Sequence, residues 1–181
     1  MTDTPHIGEE FVGAISVQDY SSRERIEGVD LIDLRLFSDE GGDFCELVRL
    51  DGSGRVEGLD DYRLQQASYS LLVPGAVKAW HLHLKQDDVW FVPPSDRLLV
   101  GLLDLRSDSG SYRRSMRFVL GGGRARLLFI PRGVAHGAAN TTHRAVSLIY
   151  FVNAQFAPSD PDEHRLPFDH LGAEFWQITP G

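Results

Sequence analysis

A chain of 181 residues with 42% hydrophobic and 24% charged side chains has the composition of a globular domain able to bury a core, which excludes a disordered chain. Twenty-six acidic against 18 basic residues leave a net charge of −8, and this argues against a nucleic-acid binder working through bulk positive charge. Apolar runs stop at about six residues, far short of a membrane span. Residues 1–10 are polar and carry no signal-peptide core, and the single cysteine, Cys45, cannot close an internal disulfide. Together these features predict a cytoplasmic protein with no nucleic-acid or membrane partner.

In chain order, residues 1–27 read as an N-terminal arm, 28–176 as one domain and 177–181 as a tail. Short β-prone stretches follow at 29–37, 44–50, 68–73, 77–84, 89–92, 98–105, 116–120, 126–130 and 146–152. Turn signals separate them, among them Gly41-Gly42, Gly52-Ser53-Gly54, Pro74-Gly75, Pro93-Pro94 and Gly121-Gly122-Gly123. Eight or nine short strands punctuated in this way predict an all-β sandwich or barrel. Helix is expected only as a turn or two within 59–64 and within 160–174. The Gly121–Gly123 run is followed by a β-type segment rather than a helix, so it reads as a hairpin turn and not as a phosphate cradle.

Histidines carry the chemical signal. His81 and His83 alternate with Trp80, Leu82 and Leu84, which places both imidazoles on one strand face. Turned inward, with Gln86, Asp87 and Asp88 close in sequence, they would form a buried polar cluster, and such clusters are costly unless paired or functional. A second cluster, Pro131-Arg132-Gly133-Val134-Ala135-His136, makes a turn and then delivers His136 into a strand. Only two of the 18 basic residues are lysines, and both, Lys78 and Lys85, lie within four residues of His81.

The spacing from Gly75 to His81 and His83, followed by Pro131-x-Gly133-x-x-His136 and Asn140, resembles the paired motifs of cupins. These are double-stranded β-helix or jelly-roll barrels that are often metalloproteins. A closer resemblance spans about residues 28–176, to the dTDP-4-dehydrorhamnose 3,5-epimerase family. Its motif segments align with Asp39-Glu40-Gly41-Gly42-Asp43-Phe44-Cys45-Glu46, with Gln66 through Gly75, Lys78 and His81 to His83, and with Leu103-Asp104-Leu105-Arg106. They continue at Ile130 through Gly137, at Tyr150, and at Leu166 through Trp176.

That resemblance implies an epimerase or isomerase of a 4-keto-6-deoxy sugar, possibly nucleotide-linked, that needs no cofactor and works as a homodimer. His81 would be the base, Asp169 would hold its tautomer, and Tyr150 would be the acid. Lys78, His83, Lys85, His136, Gln66 and Arg106 would bind substrate, with His136 helping to polarise the ketone. Several positions depart from the pattern. The enolate-stabilising lysine of the family falls at Asp88 or Val89, with Lys85 a substitute if the strand runs straight that far. Lys78 and Gly41 stand where the family has arginines, which predicts a weak grip on dTDP. His83 replaces a glutamine and adds a potential ligand. Two alternatives remain open: a metal cupin holding one divalent ion with His81, His83, His136 and Asp87 or Asp88, and a sugar-binding cupin without catalysis. The first competes with the epimerase reading for His81, since a nitrogen engaged by a metal is not a free base.

Overall fold

The computed structural model describes residues 4–17 and 25–179, so the expected arm and tail lie partly outside the described residues. Two five-stranded antiparallel sheets face one another. The first is ordered β1 (Asp30–Asp33), β9 (Arg126–Ile130), β6 (Asp88–Phe91), β11 (Val146–Val152), β4 (Gln66–Leu72). The second runs β12 (His164–Arg165), β5 (Val77–Leu82), β10 (Val134–Ala139), β7 (Arg97–Asp104), β8 (Ser115–Gly121). A small hairpin of β2 (Leu36–Asp39) and β3 (Gly42–Cys45) stands apart from both. This is the jelly-roll form of the all-β fold expected from the sequence. Among the described residues no helix is long and apolar enough to cross a membrane.

The strands of highest apolar density are buried on both faces. Between the sheets lie Leu72, Val92, Val100, Leu102, Leu128 and Val134, joined by Ile26. Ile26 is 1% exposed, so the core begins ahead of residue 28. A second cluster, with Tyr62, Val89, Phe91 and Phe151, covers the outer face of the first sheet under the loop that follows β3. A third, with Trp80, Leu99, Leu103 and Trp176, covers the outer face of the second sheet under the C-terminal segment. Full burial of each large side chain contributes about 1.5–3 kcal/mol. Such double coverage is why β6 and β7 read as continuous apolar runs rather than alternating ones.

Several boundaries differ from expectation. The stretch 29–37 divides between β1 and β2, and 44–50 contributes to β3 only as far as Cys45, with Leu50 making an isolated bridge to Val56. Gly121–Gly123 is not a hairpin turn. β8 belongs to the second sheet and β9 to the first, so these three glycines carry the chain across the sandwich. All three have positive φ, and a Cβ on Gly121 would lie 2.4 Å from the Asp96 carbonyl oxygen. The 59–64 stretch forms turns without a helix, anchored by Tyr62, whose hydroxyl donates to the Phe151 carbonyl at 2.8 Å. Helix within 160–174 reduces to one 3-10 turn, Ala173–Trp176, and a short exposed helix, α1 (Glu9–Val12), appears where none was expected.

One irregularity positions the site. In the β5–β10 pairing His136 faces His81, but Ala138 faces Lys78, so β5 carries one extra residue between them. A bulge of this kind resets the alternation of side chains. It allows Lys78 and His81, three apart in sequence, to line one cavity. Gly137 makes the bulge possible, because a Cβ there would lie 2.4 Å from the Ala79 Cβ. Its register partner on β7, Gly101, plays the same part on the other side: a Cβ there would meet the Phe175 and Trp176 rings at 2.5 and 2.6 Å. Two adjacent glycines therefore admit the bulge and seat the C-terminal turn.

Candidate active site

A cavity of about 810 Å³ opens between the sheets. It is lined by Gln66, Ser70 and Leu72 of β4, Asp88 and Trp90 of β6 and Leu148 and Tyr150 of β11. From the other side come Lys78 and His81 of β5, His136 and Ala138 of β10, and Arg165 of β12. His83, Lys85, Gln86, residues 154–157, Asp160, Asp162 and Glu163 complete the rim. The volume is within the usual range for small-molecule sites, about 300–1,000 Å³.

His81 lies between two charged side chains. Its Nδ1 is 2.6 Å from Glu163 Oε1, and its Nε2 is 3.0 Å from an Arg165 guanidinium nitrogen. Arginine only donates, so Nε2 accepts and Nδ1 carries the proton given to Glu163. This fixes a neutral imidazole with its lone pair on Nε2. The Glu163 carboxyl is held below the usual carboxylate range, chiefly by the hydrogen bond from His81, with Arg165 adding to it. Arg165 also meets Glu163 Oε1 at 2.9 Å.

The carboxylate that holds His81 therefore belongs to Glu163 and not to Asp169. Asp169 lies in an exposed turn whose main-chain carbonyl accepts from the Gly172 N–H at 2.8 Å, outside the cavity. Glu163 and Arg165 escape the sequence reading because 160–174 reads there as a segment inside the domain that holds a helical turn or two. The two-residue strand β12, which pairs Arg165 with His81, is too short to leave a periodic signal.

Deeper in, His136 is 3% exposed and stacks nearly parallel to His81, with ring centroids 6.0 Å apart and 7° between the planes. Its Nδ1 donates to the Val134 carbonyl at 3.0 Å, so Nε2 is left as an acceptor facing Asp88 Oδ2 at 3.7 Å. Burial pushes this imidazole down to about 4, against the opposing pull of Asp88. A neutral His136 in this tautomer offers a lone pair to the cavity and cannot donate to a ketone oxygen. Polarisation of the ketone by His136, expected from the sequence, therefore does not fit the geometry. His83 is built alike, with Nδ1 against the Asp162 carbonyl and Nε2 facing Asp88 Oδ1 at 3.9 Å. Asp88 takes hydrogen bonds from Gln86 Nε2 at 2.7 Å and Trp90 Nε1 at 3.1 Å.

Asp162 holds this corner rigid by accepting the N–H groups of Leu84, Lys85 and Gln86. Burial opposes ionisation of its carboxyl, but those three donors outweigh it and keep the group below its ordinary value.

The remaining expected residues separate cleanly. Gln66, Lys78 and Tyr150 line the cavity. The Lys78 ammonium donates to Ser70 Oγ at 2.8 Å and, unlike Lys85 and Arg165, has no carboxylate partner among the described residues. β5 ends at Leu82, so Lys85 does not continue its face; it pairs with Asp160 at 3.0 Å on the rim. Arg106 is absent from the cavity: it forks onto Asp104 at 2.8 Å and donates to the Glu27 carbonyl, a structural role. Asp87 turns away to Arg132 and Asn153. The metal-compatible set thus narrows to His83, Asp88 and His136, whose ligand atoms lie within 4.8 Å of one another. His81 stands outside it, so a base and a metal do not compete for that residue.

Residues 23–176 match the family model described as dTDP-4-dehydrorhamnose 3,5-epimerase. The chain belongs to that family. It is 41% identical over 144 residues to the spore coat polysaccharide biosynthesis protein SpsL of Bacillus subtilis, covering 80% of this chain and 91% of the relative. It is 32% identical over 146 residues to the probable low-salt glycan biosynthesis epimerase Agl13 of Haloferax volcanii, covering 80% and 89%. Among solved structures, a dTDP sugar isomerase from Desulfovibrio desulfuricans superposes with a TM-score of 0.70 at 27% identity, over 85% of this chain and 91% of the other. The Bacillus anthracis 3,5-epimerase with TDP and PPi bound superposes with a TM-score of 0.71 over 87% and 90%; at 20% identity it speaks to the fold alone. The chain is thus a sugar epimerase-like enzyme on a cupin jelly roll.

Proposed function

We propose that this enzyme epimerises a nucleotide-linked 4-keto-6-deoxy sugar at carbons beside the ketone, with His81 as base and Tyr150 as acid. The observation that carries the reading is their placement. His81 comes from the second sheet with a defined lone pair on Nε2, and Tyr150 comes from the first sheet across the same cavity. A sugar ring between them would meet a base on one face and a proton donor on the other, which is what inversion by proton removal and return requires. A neutral imidazole with a free lone pair can take up a proton and suits the first step. Glu163 then stabilises the imidazolium that forms. Arg165, which covers Nε2 in the free enzyme, must leave when the α-proton arrives.

Lys78, the cation of the cavity without a carboxylate partner among the described residues, would meet a diphosphate as a point charge. A second copy of the chain would cover the edge strand β4, whose outward Tyr69 and Leu71 are 62% and 48% exposed. A homodimer in the cytoplasm is therefore part of the proposal, and light scattering at micromolar concentration checks it. The activity itself is tested by incubating the protein with a dTDP-4-keto-6-deoxyhexose in D₂O. Deuterium entering at carbons beside the ketone supports the reading; a substrate recovered unlabelled under conditions where it binds overturns it.

A further inference from the structure

We propose that Arg165 is a catalytic residue: its guanidinium passes from His81 Nε2 to the ketone oxygen of the substrate as that oxygen becomes an enolate. The inference rests on the proposed epimerisation and names the side chain that takes up its charge. Removal of a proton beside a ketone turns the C–H electron pair into a C=C bond and moves the carbonyl π pair onto oxygen. A donor held at that oxygen, in a site shielded from water, lowers the barrier more than the same donor would in solution. The side chains of the deep corner offer acceptors instead, since His83 and His136 turn Nε2 lone pairs toward it and Asp88 adds a carboxylate. Lys85 is held at the rim by Asp160, and the Lys78 ammonium is engaged with Ser70. Arg165 is the cation in contact with the base, its Nη1 standing 3.0 Å from His81 Nε2.

The handover follows from the hydrogen-bond chemistry of one nitrogen. Nε2 has a single lone pair, so a substrate C–H aligned with it must take the place of Nη1. Once the proton has moved, Nε2 is itself a donor on a cation and repels the guanidinium, which keeps Arg165 from returning. Nη2 meanwhile lies 2.9 Å from Glu163 Oε1, the same atom that accepts from His81 Nδ1. The guanidinium can therefore pivot on Glu163 without leaving it, because its five N–H groups serve two partners at once. In a reactive pose the α-carbon stands about 3–3.5 Å from Nε2, and bond lengths place the ketone oxygen about 2.4 Å from that carbon. A swing of roughly one hydrogen-bond length, about 3 Å, brings Nη1 to it. The Arg165 side chain is 55% exposed, so packing does not oppose the swing. Its backbone is fixed by contrast, paired with His81 through β12. When Tyr150 gives a proton to the opposite face, the oxygen electron pair re-forms the C=O bond. Water then resets the imidazolium and the phenolate, and Arg165 returns to Nε2.

Arg165→Met tests the role, because it keeps the length of the side chain and removes its charge and donors. Deuterium exchange beside the ketone of a dTDP-4-keto-6-deoxyhexose should slow by about 10²–10³-fold in the variant. In steady-state kinetics kcat should fall by the same factor with KM within about twofold, the mark of an interaction made in the transition state. Affinity for dTDP, measured by calorimetry, should be unchanged. Nitrogen-15 spectra of the His81 ring should still show the proton on Nδ1, because Glu163 still accepts it. Arg165→Gln should lose exchange likewise, with circular-dichroism melts confirming that both variants fold. Exchange at the wild-type rate in either variant overturns the role and leaves His81 as the base. A loss of dTDP affinity by about tenfold or more overturns it too, since Arg165 would then bind the diphosphate in the ground state. So does a switched His81 tautomer, which would make Arg165 a positioning residue. Wild-type protein that binds the keto-sugar without exchanging it refutes the epimerase reading, and this role with it.

Discussion

Asp88 and Asp104 are both buried carboxylates on neighbouring parts of the same jelly roll, and they are treated in opposite ways. Asp104, fully buried, takes a two-pronged contact from Arg106 at 2.8 Å, and hydroxyls from Ser109 at 2.7 Å and Ser111 at 2.6 Å. Every partner is a donor. Burial works against its ionisation, yet those donors together pull the carboxyl far below the usual range. Asp88 takes two donors and then faces two imidazole lone pairs that give it nothing. A closed network with all its bonds made serves the fold; an open one with acceptors left facing each other serves a ligand. The motif containing Arg106 and the motif containing His81 look equally functional in the sequence, and only this accounting separates them.

The sharpest way to break the comparison is to neutralise both acids. Asp104→Asn should cost about 3–5 kcal/mol in equilibrium unfolding, because it strands Arg106 beside an amide. Turnover per folded molecule should stay within about twofold. Asp88→Asn should leave stability within about 1 kcal/mol, since no satisfied ion pair is lost, while activity falls. The reverse pattern would refute the assignment.

Asp104 also belongs to the group of carboxylates that set the acid response. A carboxyl depressed in the folded state stabilises it fully above the unfolded value of about 3.9 and progressively less as pH falls toward the folded value. Asp104, Asp87 and Asp162 are all shifted in this direction. Thermal midpoints should therefore drop as pH falls below about 5, and Asp104→Asn should flatten that slope.

Smaller effects sharpen the picture of the open side. Glu163→Gln removes the charge that stabilises the His81 imidazolium. It also puts an amide that can donate where only an acceptor stood, so the His81 tautomer is no longer fixed. The substitution should lower kcat about 10²-fold with KM little changed. Steady-state kinetics on a folded variant check it; an unchanged kcat would restore the orienting role to another group. Gly137→Ala presses on Ala79 in the bulge and should cost about 1–3 kcal/mol in denaturant unfolding.

Much of this was legible in the sequence, for physical reasons that can be named. Strands such as β7, β9 and β11 are short apolar runs between turn residues, and Pro131-x-Gly133 forces the turn that brings in His136. Alternation correctly put Trp80 opposite the His81 face. Illegible were features made by tertiary contact. The bulge at Ala79–Trp80 depends on a glycine in another strand. Glu163 and Arg165 reach His81 across about 80 residues of chain through a two-residue pairing. The choice of Asp88 rather than Asp87 for the cavity follows from which face of β6 is inward, and from Arg132 claiming the other acid. Arg106 misled because a motif position says nothing about which way a side chain turns.

The central claim is that His81 Nε2 removes the α-proton. Its most direct test is the rate of solvent-deuterium incorporation beside the ketone in His81→Asn, measured against wild type with substrate binding confirmed in both. Asparagine keeps polarity and approximate size but cannot take the proton. The account predicts that exchange slows by about 10²–10⁴-fold while the fold and ligand affinity persist. Exchange at the wild-type rate in the variant would contradict it and place the base elsewhere in the cavity.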